Sequence, residues 1–456
     1  MKNKIDFANE NTGKALFQMA MPLFLATVLM LAYNLVDSIW VGNLLGENGY
    51  AALTTAGSVS ILLYAFTTGV GNGTAIVVSR LVGNKDEKKI REMTGAILLI
   101  SALFSVLLTA VLEFSLDRIL QIFHTPMDIY RDAWIYLAIF LPGYVAVFLY
   151  MQLTSIYRSF GDPVFQMKGM FLGTLINLIT DPLFIRSYGI SGAATATVLS
   201  QVICLVFAIL YGRKKAYFSP NLNGCNRENV KDFVTTVIPA SMQNCIPAIS
   251  SMVMVILVNR YDVTTIAAYG VVKNIENFLF YPAMAMNMSM ITITGHLYGA
   301  EKPERIKDYM KTALIYGTLI EGMLTVLVLF SSSRISMAFV HEEVIALIAS
   351  RGLWIIGIGY PCYMITNIFL GKLSGMGKVN LSLLLMFFYY IVIRLPLALI
   401  LMDSPLRLDG MWFSFLISHI SAVLIAVLLD HILCRAPKEY PSAIRTADTH
   451  TKGETA

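Results

Sequence analysis

Apolar runs of about 20 residues, the length of an α-helix that crosses a bilayer's hydrocarbon core, recur along the chain between short charged breaks. They predict helical spans at approximately 15–41, 52–79, 92–114, 131–154, 164–186, 190–212, 234–258, 264–298, 310–332, 345–371, 379–402 and 410–434. Several spans contain proline: Pro22, Pro142, Pro239, Pro247, Pro282, Pro361 and Pro396. These predict kinks or unwound turns, which a membrane tolerates where neighbouring helices or water satisfy the freed backbone groups.

The pattern repeats. Leu81 and Leu297, Gly83 and Gly299, Ile90 and Ile306, and Gly161 and Gly377 are each 216 residues apart, and Pro22 and Pro239 differ by 217. The chain is therefore expected to divide into an N-terminal six-helix lobe (1–215), a linker (216–232), a C-terminal six-helix lobe (233–435) and a polar tail (436–456) whose composition predicts disorder. Both halves start on the same side, so the repeats are parallel about an axis along the membrane normal. The expected fold class is an all-α membrane protein of twelve transmembrane helices in two pseudo-symmetric six-helix bundles.

Composition agrees: 56% of residues are hydrophobic and 14% charged, against about a quarter charged in a soluble domain. The net charge of +5 matters less than its placement. With the N-terminus inside, 25 of the 34 basic residues fall on the inner side and seven on the outer, while Lys273 and Arg394 lie within spans. The positive-inside rule then places both termini in the cytoplasm of a multi-pass plasma (inner) membrane protein. Basic residues in short loops, instead of along one solvated face, argue against nucleic acid as a partner. Cys204, Cys225, Cys245, Cys362 and Cys434 have no zinc or redox spacing, so neither a disulfide nor a metal-thiolate site is expected. The first apolar run is too long for a signal-peptide h-region and is predicted to remain as a helix.

Ionisable side chains at membrane depth usually face a bundle interior or a water-filled cavity. In the first half the polar groups within spans are Asn34 and Asp37 on span 1, Asn177 and Asp181 on span 5, and Thr195 and Thr197 on span 6. The alternation of spans brings all of them to one depth, in the outer half of the bilayer. Asn177 and Asp181 are four apart, as are Tyr33 and Asp37, so each pair shares a helix face. Two carboxylates close together in low dielectric favour uptake of a proton, or of a cation between them. Carboxylate, amide and hydroxyl oxygens together suit a dehydrated Na+, with Asp37, Asn177, Asp181 and Thr197 as its ligands; a proton needs the carboxylates alone. The competing reading makes Asp181, before Pro182, a helix-end cap and lets Asp37 snorkel to headgroup water.

The second half does not duplicate this set, since the positions equivalent to Asp37 and Asp181 fall at Val253 or Met254 and near Leu397. It carries Lys273 and Glu276 on one face of span 8 and Arg394 on span 11. These read either as an internal ion pair or as substrate-binding groups. Glu321 and His419 read as packing groups. Met284, Met286, Met288 and Met290 read as gap-filling, because i, i+2 spacing wraps around a helix. Gly71-Asn72-Gly73 lies within a span and reads as helix packing, not phosphate binding. No catalytic triad, HExxH motif or nucleotide loop is present, so no enzymatic activity and no cofactor beyond a coupling ion are expected.

The stretches Tyr33–Gly42 (YNLVDSIWVG), Tyr157–Pro163 (YRSFGDP), Asn177–Pro182 (NLITDP) and Gly192–Thr197 (GAATAT) resemble the multidrug and toxic compound extrusion (MATE) family, from about Asn11 to Arg435. The resemblance implies export of drugs and other organic, often cationic or amphipathic, compounds by antiport with H+ or Na+. In the DinF-like branch it implies a cation-coupling site at Tyr33, Asp37, Asn177, Asp181 and Thr197. It also makes Glu276 of the KNIENF stretch a substrate or coupling residue. Asn34, Glu276, Lys273 and Arg394 are the expected substrate-binding positions. The expected protein is thus a monomeric secondary-active exporter working by alternating access of two lobes. A lipid-linked oligosaccharide or lipid flippase of the same superfamily is the alternative, and it would require a cavity lined by Arg and Lys.

Overall fold

The structure, a computed structural model, describes residues 5–215, 217–218 and 224–435. Among these the chain is helical almost throughout: α1 (Thr12–Asn84), α2 (Glu87–Phe114), α3 (Leu116–Ile122), α4 (Met127–Ser159), α5 (Val164–Tyr188), α6 (Ile190–Lys215), α7 (Arg227–Val258), α8 (Val263–Gly299), α9 (Pro303–Phe339), α10 (Glu343–Ile356), α11 (Gly359–Gly375), α12 (Val379–Phe387), a π-helical stretch Phe388–Arg394, α13 (Leu395–Met402) and α14 (Leu408–Arg435). Eight helices are long and apolar enough to cross a bilayer by themselves, and nine if the bent pair α10–α11 is one crossing. At 73 residues α1 supplies two crossings, since about 20 residues suffice for one. The remaining two, α5 and α8, fall short in apolarity because they carry Asn177 and Asp181, and Lys273 and Glu276. The total is twelve.

One expectation needs correction, and two of the prolines mark irregular turns as expected. The loop expected between the first two spans is helical; the turn is a single break at Gly46, whose φ of +71° is a left-handed conformation open to glycine at no steric cost. Span 10 is broken between Ile356 and Gly359, with a 51° bend. Pro361 has no N–H to offer the Gly357 carbonyl, which instead takes the Tyr360 N–H at 3.2 Å. Span 11 contains the π-helical stretch that ends at Arg394, just before Pro396. In addition, α7 begins at Arg227 within the expected linker, capped by Asn226, while linker positions 219–223 and the tail 436–456 lie outside the described residues.

Asn84, Ser159, Lys215, Gly299 and Gly375 end their helices on one side of the bundle, called here the basic end because most Lys and Arg fall there. At this end the repeat becomes visible in three dimensions. A methyl placed on Gly83 would meet the His296 carbonyl oxygen at 2.1 Å, and one on Gly299 would meet the Arg80 carbonyl oxygen at 2.0 Å. Arg80 and His296 are themselves 216 residues apart, so the second leg of α1 and α8 cross reciprocally, main chain on main chain. In lipid, where no hydrophobic force drives helices together, such small-residue contacts let helices approach closely. Residues 69–79 and 285–297 are accordingly buried all round. Met286, Met288 and Met290 belong to that buried run, so they pack against protein and not lipid.

The halves also exchange ends. Ala15, Leu16, Met19 and Leu23 at the start of α1 pack in a core with residues of α8, α9, α11 and α14. Phe233 and Val237 at the start of α7 pack in the core of α1, α2, α4 and α6. Arg158, one of the 25 basic residues assigned to the inner side, is buried in the last turn of α4 and donates to Asn72 Oδ1 at 3.1 Å.

Candidate functional site

The first leg of α1 packs against α5 and α6 and buries Tyr33 and Asp37, one turn apart. From α5 come Asn177 and Asp181, both fully buried. The i, i+4 spacing lets Asn177 Nδ2 donate to Asp181 Oδ1 at 2.7 Å. From α6 come Thr197 and Ser200, also buried. Ser200 Oγ donates to the Thr197 carbonyl at 2.8 Å, so the Tyr33 hydroxyl donates to Ser200 Oγ at 3.1 Å. Asp37 and Asp181 interact electrostatically without a bond between them. The competing placements, a helix-end cap at Asp181 and a snorkelling Asp37, are not what the fold adopts, since neither side chain reaches the surface.

What remains unpaired defines the chemistry. Asp37 Oδ1, Asn177 Oδ1, Asp181 Oδ2 and Thr197 Oγ1 are buried and close no hydrogen bond among the described residues. Buried polar atoms are nearly always satisfied, so each exception calls for an explanation. Here four oxygens from three helices, two of them carboxylate, gather in one place; three are pure acceptors without a donor, and the Thr197 hydroxyl, which carries its own hydrogen, lies beside Tyr33 and Tyr136. An excess of acceptors accommodates a proton on a carboxylate, and hard oxygen ligands of this kind also suit a small hard cation.

Sequence reasoning missed three members of the surroundings. Tyr64 on the second leg of α1 and Tyr136 on α4 both lie within electrostatic reach of Asp37, and Ser200 orients Tyr33. Ser200 was legible as a hydroxyl three residues after Thr197; the tyrosines carried no local signal. Two expected members separate from the set: Asn34 and Thr195 are exposed, not buried. The Thr195 hydroxyl bonds to the Ser191 carbonyl of its own helix.

The second half holds a different cluster. Lys273 Nζ donates to Glu276 Oε2 at 2.7 Å, with Glu276 buried and Lys273 partly exposed. The Arg394 guanidinium stacks on Tyr390 and Phe415 at 4.5 and 4.4 Å. Its Nε donates to Ser418 Oγ at 3.0 Å and its Nη2 to the Tyr389 hydroxyl at 3.1 Å. That hydroxyl is in turn hydrogen-bonded to His419 Nδ1 at 2.5 Å. Arg394 is thus fixed by neighbours on three sides, and Lys273 is the member with exposed surface.

The MatE family model matches the chain twice, over residues 22–183 and 239–400. The chain is 26% identical over 408 residues to the probable multidrug resistance protein YoeA of Bacillus subtilis, covering 86% of this chain and 88% of that protein. It is 24% identical to the multidrug export protein MepA of Staphylococcus aureus, with 94% and 95% covered. Its fold matches the MATE transporter VcmN of Vibrio cholerae with a TM-score of 0.90 at 20% identity, covering 94% of this chain and 98% of that one.

Proposed function

The chain belongs to the MatE family, and from that premise we propose that it is a secondary-active exporter of small organic, cationic or amphipathic compounds, driven by H+ or Na+. The single observation that carries this reading is the cluster of buried oxygens on Asp37, Asn177, Asp181 and Thr197, three of them acceptors without a donor. Relatives named for multidrug resistance and export support the substrate class.

The working units are the lobes 1–215 and 233–435, with the starts of α1 and α7 exchanged between them. The placement of basic residues supports a plasma-membrane protein with both termini cytoplasmic, so the basic end faces the cytoplasm and the reciprocal crossing of Gly83 and Gly299 closes that side. An ion entering from outside binds at Asp37 and Asp181 and gives the spare oxygens their partner. That rearranges α1 against α5 and α6 and lowers affinity for substrate; with the ion released to the cytoplasm, substrate loads from that side. The ion shifts the equilibrium only by as much as it binds one state better than the other. Glu276 and Lys273, on the second lobe, are the groups that meet substrate, together with the exposed Asn34 of α1. The flippase alternative loses support because Arg394 is committed to Ser418 and Tyr389, and Lys273 to Glu276.

The test is efflux from proteoliposomes under separately imposed proton and sodium gradients. One gradient is expected to drive efflux, and Asp37→Asn and Asp181→Asn to abolish that drive. Efflux that ignores both gradients, or that survives both substitutions at full rate, overturns the proposal.

A further inference from the structure

The apolar core of the second lobe is split. One part gathers Ala283, Ala313, Met364 and Ala422, the other Leu279, Val328, Ile356 and Phe415. The level between them is polar, and α9 contributes Glu321 to it, at the helix midpoint. On the buried stripe of α9, Glu321 lies one turn from Gly317 and one turn from Thr325. The register is fixed on both sides: a methyl on Gly317 would touch Met364 and Ile368 of α11, and Leu329 touches Gly357. The antiparallel pairing therefore sets Glu321 against Tyr360, beside the break between α10 and α11. Glu321 is 0% exposed, and neither of its carboxyl oxygens closes a hydrogen bond among the described residues. The Tyr360 hydroxyl, equally buried, is unpartnered too and lies within electrostatic reach of both Glu321 and Glu276. Glu276 keeps one oxygen unpartnered, the other being held by Lys273.

We propose that Glu321 is a second proton-binding site, in the second lobe and separate from the oxygen cluster around Asp37 and Asp181. A lone carboxyl at mid-membrane without a counter-charge takes up a proton in preference to standing as an anion. A metal cation is the poorer occupant, because one carboxylate and one hydroxyl cannot replace a hydration shell. Tyr360 from α11 is the ionisable group within electrostatic reach of Glu321, and Tyr360 is in turn within reach of Glu276 and Arg394 and beside the His419 ring of α14. The Arg351 side chain of α10 is exposed and paired with Asp409. The start of α1 meets α9 at Thr12 and Thr312, near the exposed Lys14. Lys273, Glu276 and Tyr360 form a polar route from partly exposed surface to Glu321. Protonation of Glu321 adds a hydrogen-bond donor near the Tyr360 hydroxyl, and loss of that proton leaves an anion there. Either state bears on the unwound turn next to Tyr360.

The full chain in lipid nanodiscs tests this by infrared difference spectroscopy between acidic and alkaline buffer. The buried-carboxyl band of the acidic form is expected to lose one component in Glu321→Gln and to keep that component in the Asp37→Asn, Asp181→Asn double variant. An unchanged band in Glu321→Gln overturns the proposal, whether or not the first-lobe site couples transport. The unsubstituted protein gives a check that needs no variant to fold. An apolar carbodiimide, which reacts with protonated carboxyls, should label the Glu321 peptide several-fold more at acidic than at alkaline pH. Absence of label at every pH overturns it equally.

Discussion

Asn177 donates to Asp181 Oδ1 across one turn of α5, and this bond determines which oxygens of the first-lobe site stay free. It occupies one carboxylate oxygen and turns the amide so that Asn177 Oδ1 joins Asp181 Oδ2 without a donor. Removing it by Asn177→Ala should loosen the Asp181 side chain and leave a buried acceptor bare. We expect a loss of about 1–3 kcal/mol, the usual cost of orphaning a buried polar group, read as a lower thermal midpoint in detergent. Dependence of transport on the ion gradient should weaken in parallel.

Asp37→Asn and Asp181→Asn keep size and remove charge. Each is expected to reduce ion-driven efflux at least ~10-fold, the ratio that about 1.4 kcal/mol of lost coupling produces. Binding of substrate to the purified protein should change far less. Initial efflux rates and equilibrium binding on the same preparations separate the two effects.

Gly83→Ala and Gly299→Ala should behave alike. Each adds a methyl that meets a main-chain carbonyl at about 2 Å, and main chain cannot swing aside as a side chain does. Overpacking of this kind costs ~1–3 kcal/mol. The cost falls on the state closed at the basic end, so both variants should lower thermal stability and slow efflux by similar factors. A large difference between them would contradict the reciprocity of the crossing.

Arg394→Lys keeps the charge but removes the flat guanidinium that stacks on Tyr390 and Phe415 and bonds Ser418 and Tyr389 together. Cation–π contacts of desolvated groups are worth about 2 kcal/mol, and a lysine cannot make both bonds in one plane. A fall of roughly that size in unfolding free energy, with His419 and Tyr389 intact, is the expected result of chemical denaturation.

The twelve crossings were legible because membrane spans announce themselves by length and apolarity, and the first-lobe carboxylates because charge is conspicuous in such spans. Alternation of spans gives the height of a residue but not its direction. Thr195 shares its depth with Thr197 yet lies two residues away, about 200° around the helix, and is exposed; Asn34, only three residues from Asp37, is exposed as well. Tyr64 and Tyr136 are ordinary aromatic residues until the packing of α1 and α4 brings them beside Asp37. Glu321 read as a packing group because nothing in its own helix tells that its stripe faces Tyr360 and a broken turn. The continuous run through 42–51 escaped because polar residues in a helix and in a loop look alike when only one glycine marks the bend.

The reciprocal glycine crossing bears on how easily the molecule changes shape. A seam made of backbone against backbone presents no ion pair to strip among the described residues and few long side chains to reorder. Parting it therefore gives up mainly dispersion contacts, which water or a guest molecule can restore. The difference between shut and parted forms can then stay small, within the reach of one charge crossing the membrane, which supplies roughly 2.3 kcal/mol per 100 mV.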